Sequence, residues 1–273
     1  TSGSIGYIDI VEADIFDHDL IDKLLSNSNI CINLIGILYE KNKKNSFKNI
    51  HTYFPDILSR LCKKNNNSLI HFSALGVENA KESYYAKSKF EGENRIKNNL
   101  QSAVIIKPSI VFSVSDSFST NFLTLLNYLP IFPLYYNGKT KFTPIHASEV
   151  ADLIYHIVSN DISSKVIEAL GPDVLTFKEM LEILLNSINK KRLLLPLPLP
   201  IAKLSTSILE IFPKPLITRD QLRLLKYDNV KTPGGLSNFD IGSPSRIKFK
   251  DGVMKYAYNW MDGGQYAMRN KKN

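Results

Sequence analysis

Short apolar runs alternate with amphipathic stretches along the first part of the chain. The apolar runs have the length and the β-branched content of strands: Ile8–Ala13, Ile30–Ile37, Leu69–Ser73 and Ala103–Ile106. Helical periodicity separates these runs and predicts three helices: His18–Leu25, Phe47–Lys64 and Tyr84–Asn98. Strands that are apolar on both faces and joined by helices of this size pair in parallel. The pattern therefore predicts an α/β fold with a doubly wound parallel sheet.

The later part of the chain has a looser pattern. A helix is predicted over Ala147–Val158 and a strand over Val166–Leu170. A further helix is predicted over Phe177–Leu185, with Thr176 as its N-cap and Glu179 as the capping-box partner. We expect residues 1–112 and about 142–172 to form a Rossmann-type domain. Residues 113–141 and 173–262 are expected to form a smaller lobe, followed by a basic tail at 263–273.

Composition narrows the function classes. The chain has 273 residues, 44% of them apolar, and a formal net charge of +8. Its basic residues are dispersed and form no stripe, so we expect no nucleic-acid partner. No uncharged run free of proline is long enough for a transmembrane helix. The two cysteines and five histidines lack the spacing of a disulfide framework or a metal site, so no metal is predicted.

A tyrosine and a lysine lie one helical turn apart at Tyr85 and Lys89. An ammonium group beside a phenol favours the phenolate and lowers its pKa, and the lysine can also bind a ribose diol. The Tyr-x-x-x-Lys spacing occurs four times in the chain, so spacing alone is weak support. This pair is distinguished by its place at the start of a helix that follows the strand ending at Ser73. The alternative is an exposed helix face without chemistry.

The order of several motifs resembles that of the extended and atypical short-chain dehydrogenase/reductases. Val11–Asp17 resembles the family's third strand, with Asp14 as its adenine-contacting residue. Asn33–Gly36 resembles the fourth strand, Asn49 the start of the next helix, and Ile106–Phe112 the sixth strand. The resemblance implies a catalytic pair, Tyr85 and Lys89. It implies cofactor contacts at Asp14, Ile15, Leu34, Ile35, Gly36, Ser73, Tyr85, Lys89 and Pro108.

Further segments resemble a narrower group, the Rossmann-fold accessory subunits of respiratory complex I and their bacterial relatives. These segments are Gly36–Glu40, His71–Gly76, Tyr85–Lys89, Phe142–His146, Leu216–Gln221 and Leu224–Val230. The resemblance implies NADP or NAD bound in a mainly structural role within a membrane enzyme. It implies partners among respiratory-complex subunits or quinone-related machinery. It also implies a peripheral place on the inner membrane, on the matrix side of a mitochondrion or the cytoplasmic side of a bacterium, and no secretion.

Two departures from this family bear on function. The Gly-rich turn G-x-x-G-x-x-G that cradles the pyrophosphate after the first strand is absent, because Gly3-Ser4-Ile5-Gly6 precedes a predicted strand. We therefore expect an N-terminally truncated chain with impaired cofactor binding. Enzymatic members also carry Ser or Thr two positions after the Ser73 equivalent, where this chain has Leu75. Loss of such a donor costs about 3 kcal/mol of transition-state stabilisation.

Three functions remain open from the sequence. The favoured one is a cofactor-binding, non-catalytic subunit or assembly factor of complex I or of ubiquinone metabolism. The alternatives are an active NAD(P)-dependent reductase, epimerase or dehydratase that uses Tyr85 as acid/base, and a binding module for sugars or quinone precursors without cofactor. Leu75 favours the first function, and the intact pair Tyr85/Lys89 supports the second.

The segment from Leu193 to Ile217 is the expected docking surface. Prolines alternate with leucines up to Pro200, which forbids a helix or a central strand and favours an extended run. An amphipathic helix is predicted over Ala202–Phe212. We expect 193–217 to contact a membrane protein or the bilayer, and the net positive charge to assist contact with anionic lipid. The alternative is that this face packs on the chain's own core.

Overall fold

A computed structural model describes residues 8–198, 200–201 and 218–264. The strands are β1 Ile30–Asn33, β2 Ser68–Phe72, β3 Val104–Pro108, β4 Val111–Phe112, β5 Ile131–Leu134, β6 Lys141–Phe142, β7 Ile145–His146, β8 Val166–Ala169, β9 Leu175–Thr176 and β10 Leu193–Pro196. The α-helices are α1 His18–Ser26, α2 Phe54–Lys64, α3 Tyr84–Asn99, α4 Ser117–Tyr128, α5 Ala147–Ser159, α6 Phe177–Ser187, α7 Arg219–Leu224 and α8 Phe249–Met254. A π-helix spans Lys48–Tyr53, and 3₁₀ turns span Tyr135–Gly138 and Ala257–Trp260.

The central sheet is parallel and has the order β1-β2-β3-β8. Its register pairs Asn33 with His71 and Ile105 with Val166, so the carboxyl ends of the strands lie at one edge. Helices cover both faces, because one apolar cluster joins the sheet to α1, α2 and α3 and a second joins it to α5. This arrangement confirms the predicted α/β fold with a doubly wound parallel sheet.

A third apolar cluster lies outside the sheet. It is formed by α4, β5, α6 and α8 and includes the fully buried Phe112, Leu126, Leu184 and Phe249. Helix α6 begins as predicted, since Thr176 and Glu179 form a reciprocal capping box. This cluster gives the later half of the chain an apolar core of its own.

The predicted strand Ile8–Ala13 is wrong. The segment is irregular, and the side chains of Ile8 and Ile10 are 86% and 91% exposed. A strand needs a hydrogen-bonded neighbour, and no described residue supplies one here, because β1 pairs only with β2 in the described sheet. The apolar alternation of this segment therefore has no partner within the described ranges.

Two other predicted elements end or begin differently. The strand predicted to reach Ile37 stops at Asn33, because the Asn33 side chain accepts a hydrogen bond from Ile35 N and turns the chain. The helix predicted over Phe47–Lys64 is a π-helix up to Tyr53 before it continues as α2. The remaining helices of the sheet region begin and end within a residue or two of their predicted bounds.

The proline-rich run is extended over Leu193–Pro196, where it also pairs, whereas Pro200 is already helical. Leu193–Pro196 forms a parallel two-stranded ladder with Ile131–Leu134, an arrangement that tolerates proline because the ladder has no second neighbour on the described chain. The helix predicted over Ala202–Phe212 lies outside the described residues. Among the described helices, none combines the length and the apolar composition needed to cross a bilayer.

Candidate functional site

The carboxyl ends of β1, β2 and β3 meet the start of α3, and this junction holds most of the residues singled out in the sequence. Gly36 follows β1, Ser73 follows β2, and Pro108 ends β3. Tyr85 and Lys89 lie on the first two turns of α3. In open parallel α/β sheets, ligands bind in the crevice beyond the carboxyl ends of the strands. The sequence-predicted residues therefore gather where such a fold binds ligands.

Lys89 is the buried cation of this junction. Its side chain is only 6% exposed, and its Nζ donates a hydrogen bond to the carbonyl oxygen of Phe72 at 2.9 Å. Gly36 is exposed, and a Cβ built on it would lie 3.5 Å from the same Nζ, so this glycine lies directly against the ammonium group. Burial lowers the pKa of Lys89 to about 8, while the nearby Glu93 acts to raise it.

The phenol of Tyr85 does not gain the lowered pKa that its spacing from Lys89 predicts. Lys89 Nζ lies 5.9 Å from the centre of the Tyr85 ring and is directed to Phe72 O. Burial raises the pKa of Tyr85 to about 12, so the phenol is protonated at neutral pH. The prediction that Lys89 lowers the pKa of Tyr85 is therefore wrong. The two side chains are neighbours, but desolvation determines the ionisation of the tyrosine.

His51, on the π-helix, connects the loop after β1 to α3. Its Nε2 accepts a hydrogen bond from Ile37 N at 3.0 Å, which leaves Nδ1 as the donor to Ser88 Oγ, also at 3.0 Å. Ser88 Oγ in turn donates to the carbonyl of Tyr85, and the His51 and Tyr85 rings meet edge to face. Burial, and then the charge of Lys89, lowers the pKa of His51 to about 3. The ring is therefore neutral and holds one tautomer.

The close approach of α3 to the π-helix depends on Gly92. A Cβ at this position would lie 2.0 Å from the carbonyl oxygen of His51, a distance that no side chain tolerates. The contact also lets Thr52 Oγ1 donate to Ser88 O at 3.0 Å. Glycine here is required by packing between helices, and π-helical turns of this kind are frequent at functional sites.

A buried polar pair joins β1 to β2 beneath the site. Asn33 Nδ2 lies 3.0 Å from His71 Nδ1, and both side chains are buried. Because the amide NH₂ can only donate, His71 Nδ1 is the acceptor and carries no proton. Burial, followed by the charges of Lys89 and His51, lowers the pKa of His71 to about 3.

Ser73 is buried and hydrogen-bonded to a buried carboxylate. Its Oγ donates a 2.5 Å hydrogen bond to Glu93 Oε1. Lys107 Nζ lies 3.3 Å from Glu93 Oε2 and 2.9 Å from Glu78 Oε2. Burial raises the pKa of Glu93, and the Lys107 ammonium acts in the opposite direction. Sequence reasoning missed Glu93, although its position one turn beyond Lys89 on the same helix face was a usable signal.

Leu75 and Pro108 form a backbone contact at the edge of the site. Leu75 N donates to the carbonyl of Pro108 at 3.0 Å, and its own carbonyl accepts from Asn229 Nδ2 at 2.8 Å. The Leu75 side chain is buried. It offers no hydrogen-bond donor at the position where the resemblance to enzymatic short-chain dehydrogenase/reductases implies a hydroxyl.

The residues expected at the adenine end lie beside the loop that follows β1. Asp14 accepts a hydrogen bond from Phe16 N and an ion pair from Lys44, which belongs to that loop. The hydrogen bond from Lys44 lowers the pKa of Asp14. Ile15 packs against the cluster between the sheet and its first helices, whereas Leu34 and Ile35 have exposed side chains.

Two open clefts flank the start of α3. One, of about 320 Å³, lies between the π-helix and α3, and the other, of about 710 Å³, lies between the loop after β2 and residues 227–233. The second cleft is lined by Glu78, whose carboxylate binds Lys107, and by Tyr227. Within the described ranges, no three His, Cys, Asp or Glu side chains are grouped so that they could hold a metal ion.

Curated proteins with similar sequences include subunits of mitochondrial NADH dehydrogenase. NADH dehydrogenase (ubiquinone) 1 alpha subcomplex subunit 9, mitochondrial, is 29% identical in Dictyostelium discoideum over 88% of this chain and 67% of that protein. The same subunit is 28% identical in Arabidopsis thaliana, over 90% of this chain and 64% of that protein. In Mus musculus it is 24% identical over 95% and 70%. The chain thus spans about two thirds of the length of these relatives.

Solved structures with a similar fold include reductases and epimerases. A dTDP-4-dehydrorhamnose reductase from Bacillus anthracis, in complex with NADP, superposes with a TM-score of 0.66 at 11% identity, covering 89% of this chain and 85% of that one. UDP-glucuronic acid 4-epimerase from Bacillus cereus, in complex with UDP-glucuronic acid and NAD, gives 0.63 at 14% identity over 91% and 79%. No protein-family model matches the sequence.

These comparisons agree with the resemblance that the motifs carry. The fold is that of the Rossmann-type reductases and epimerases, and sequence similarity over about nine tenths of the chain points to one group within it. The chain thus has a Rossmann-type fold and is similar in sequence to the alpha subcomplex subunit 9 of mitochondrial NADH dehydrogenase.

Proposed function

We propose that this protein is a nucleotide-binding, non-catalytic subunit of a respiratory NADH dehydrogenase. The observation that carries the proposal is the buried Lys89, which lies against the exposed Gly36 at the carboxyl ends of the strands. Sequence similarity to NADH dehydrogenase subunits supports a place in that enzyme. The structures of similar fold that contain NADP or NAD support nucleotide binding. The proposed ligand of this site is NADP or NAD, and the residues of the site do not distinguish between the two.

The residues fit a dinucleotide in an extended arrangement. Lys89 would bind the ribose diol at the nicotinamide end, and Gly36 lets the ligand approach the strand end without a Cβ. Leu34 and Ile35 offer apolar surface to the ligand rings, and Asp14 marks the adenine end. Ser73, Tyr85, Pro108 and Ile15 complete the proposed contacts. The pyrophosphate requires backbone N–H groups of a Gly-rich turn, which this sequence does not contain.

Three features support binding without catalysis. Tyr85 has a pKa of about 12, far from the working range of an acid/base at neutral pH. Ser73 Oγ is committed to Glu93. Leu75 supplies no hydroxyl beside the reacting position, which removes about 3 kcal/mol of stabilisation on the scale of a lost oxyanion donor. An active reductase, epimerase or dehydratase would need all three groups free to act on substrate.

The chain division and a docking face form part of the proposal. We infer a Rossmann-type domain from 1–112 with about 142–172, and a smaller partner-facing lobe from 113–141 and 173–262.

The strand pair β5–β10 presents Leu193 and Leu195 outward, 55% and 42% exposed, and Tyr128, shortly before β5, is 77% exposed. This apolar face would contact a membrane-embedded partner or the bilayer at the matrix or cytoplasmic side of the inner membrane.

Native electrophoresis of membranes tests the assembly. A protein tagged at its own locus should migrate with NADH dehydrogenase activity in a band of high mass. Leu193→Glu with Leu195→Glu should shift it to low mass, because charged groups replace the apolar face. Val114→Glu, at an equally exposed apolar position away from β5–β10, is the matched control and should leave the migration unchanged. Wild-type protein found only at low mass would contradict the proposal.

A further inference from the structure

The first turn of α3, which carries Tyr85, is capped by a residue distant in sequence. The first amide groups of a helix have no partner within the helix and need one from elsewhere. Here the Asp220 carboxylate accepts hydrogen bonds from Tyr84 N at 2.8 Å, from Tyr85 N at 3.0 Å and from Ser83 Oγ at 2.7 Å. A single side chain from α7 thus holds two backbone donors and the N-cap hydroxyl of α3.

Local capping satisfies the rest of this turn. Ser83 Oγ accepts from Ala86 N at 3.1 Å, and its carbonyl accepts from Lys87 N at 3.0 Å. Asp220 therefore supplies what the local sequence does not, namely acceptors for the first two amides. A carboxylate at a helix N-terminus is also favoured by the helix dipole.

Asp220 is itself held in place. It lies in the first turn of α7, whose N-terminus is fixed by a reciprocal capping box between Thr218 and Gln221. Arg223 Nη1 lies 3.3 Å from its carboxylate, and the Arg223 guanidinium stacks over the Tyr84 ring at 5.5 Å. The carboxylate is 13% exposed, so it is shielded from competing water.

The rest of the segment 218–230 contacts the loop before α3 along its length. Tyr227 Oη and Lys226 Nζ both reach Glu82, at 2.7 and 3.2 Å. Asn229 Nδ2 reaches the carbonyl of Leu75 at 2.8 Å. Apolar contacts between Leu224 and the cluster that contains Ala86 lie between these polar ones. The segment and the start of α3 are therefore joined at several points.

We propose that Asp220 is a positioning residue for the Tyr85/Lys89 site. Its carboxylate fixes the first turn of α3, and through it the direction of Tyr85 and Lys89, so the placement of segment 218–230 sets how well the site holds its nucleotide. The consequence for the ligand rests on the function proposed above. The capping itself does not depend on that function and is measured separately.

Hydrogen exchange of individual amides in the whole protein tests the capping. In the wild type, the Tyr84 and Tyr85 amides should exchange as slowly as that of Ala86, although the first amides of a helix are ordinarily unprotected. Asp220→Ala should accelerate both by about tenfold or more, the effect of losing hydrogen bonds to a charged acceptor. The matched control is Asp228→Ala, which removes a carboxylate of the same segment that caps Lys141 N and does not touch α3.

Titration with NADPH and NADH, followed by their fluorescence, tests the positioning. Asp220→Asn, which keeps one acceptor oxygen, should weaken binding several-fold while the melting temperature falls by only a few degrees. Asp228→Ala should not weaken binding. If Asp220→Ala does not fold, the exchange protection of the Tyr84 and Tyr85 amides in the wild type still tests the capping. The nucleotide affinity of Asp220→Asn still tests the positioning. Unprotected Tyr84 and Tyr85 amides in the wild type would overturn the capping. Nucleotide affinity unchanged in Asp220→Asn would overturn the positioning, whereas wild-type protein that binds neither nucleotide but shows the protected amides would overturn only the proposed function.

Discussion

Lys89 Nζ donates a hydrogen bond to the carbonyl oxygen of Phe72, the last residue of β2, and the side chain that makes this bond is buried. Its pKa is about 8 in the folded chain, against an ordinary value of 10.5. Between these values the unfolded chain binds more protons than the folded one, so stability rises with pH. The full rise is on the order of 3 kcal/mol.

The variant Lys89→Met should therefore flatten the pH dependence of the free energy of unfolding between pH 8 and pH 10.5. It should also be more stable than wild type below pH 8, because no buried charge then has to be desolvated. Urea denaturation at several pH values measures this. Lys87→Met, on the same helix but exposed, is the control and should keep the wild-type slope. A slope unchanged in Lys89→Met would contradict the assignment.

The burial of His71 predicts how the free energy of unfolding changes at acid pH. Its pKa is lowered from 6.5 to about 3, because burial, followed by the charges of Lys89 and His51, opposes protonation. As pH falls from 6.5 toward 3, the unfolded chain takes up a proton that the folded chain refuses, so stability falls. The complete loss is on the order of 4 to 5 kcal/mol.

His71→Gln should remove that part of the acid sensitivity, and the exposed His18→Gln should not. The measurement is the urea midpoint from neutral pH down to about pH 4, within the range in which histidine and its lowered pKa differ. Wild-type and His71→Gln midpoints that fall in parallel would show that His71 does not carry the effect.

Gly92 and Gly36 predict contrasting results for the same substitution. Gly92→Ala places a methyl group 2.0 Å from His51 O, so it should destabilise the fold by about 1 to 3 kcal/mol or more. Gly36→Ala meets Lys89 Nζ at an ordinary 3.5 Å and should change stability little. Thermal unfolding of both variants measures the difference. Equal losses of stability would mean that α3 and the π-helix are not packed as described.

The sheet and the long helices followed from the sequence because apolar periodicity and local capping residues report directly on them. Thr176 and Glu179 form the expected capping box, and α3 begins and ends within one residue of its prediction. Ile8–Ala13 was misread because alternation shows what a strand would bury but cannot show whether a partner strand exists. The pairing of Leu193–Pro196 with β5 is equally non-local.

The site was predicted in part. The helical spacing of Tyr85 and Lys89 and the strand ends at Gly36 and Ser73 were readable as local signals. The protonation of Tyr85 was not, since it depends on desolvation by residues far apart in sequence. The hydrogen bonds of His51, Glu93 and Asp220 also join distant segments, and no spacing rule predicts them.

The absence of a hydroxyl at Leu75 predicts that the protein does not turn over sugar nucleotides. NAD(P)H formation or consumption with UDP- and dTDP-sugars should stay at the background rate in the wild type. Leu75→Ser should raise the rate measurably, because it restores a hydroxyl donor at this position, and Tyr85→Phe added to it should abolish the gain. Wild-type turnover that Tyr85→Phe abolishes would establish the active enzyme instead.

The most direct test of a bound, structural nucleotide is the nucleotide content of the native assembly. The tagged protein, purified in its respiratory complex, is denatured, and the released NADP(H) and NAD(H) are measured by mass spectrometry. We predict that the wild type releases one of these nucleotides in proportion to the protein, and that Lys89→Ala releases none while it still assembles. Release of the same amount from Lys89→Ala, or of none from the wild type, would contradict the account.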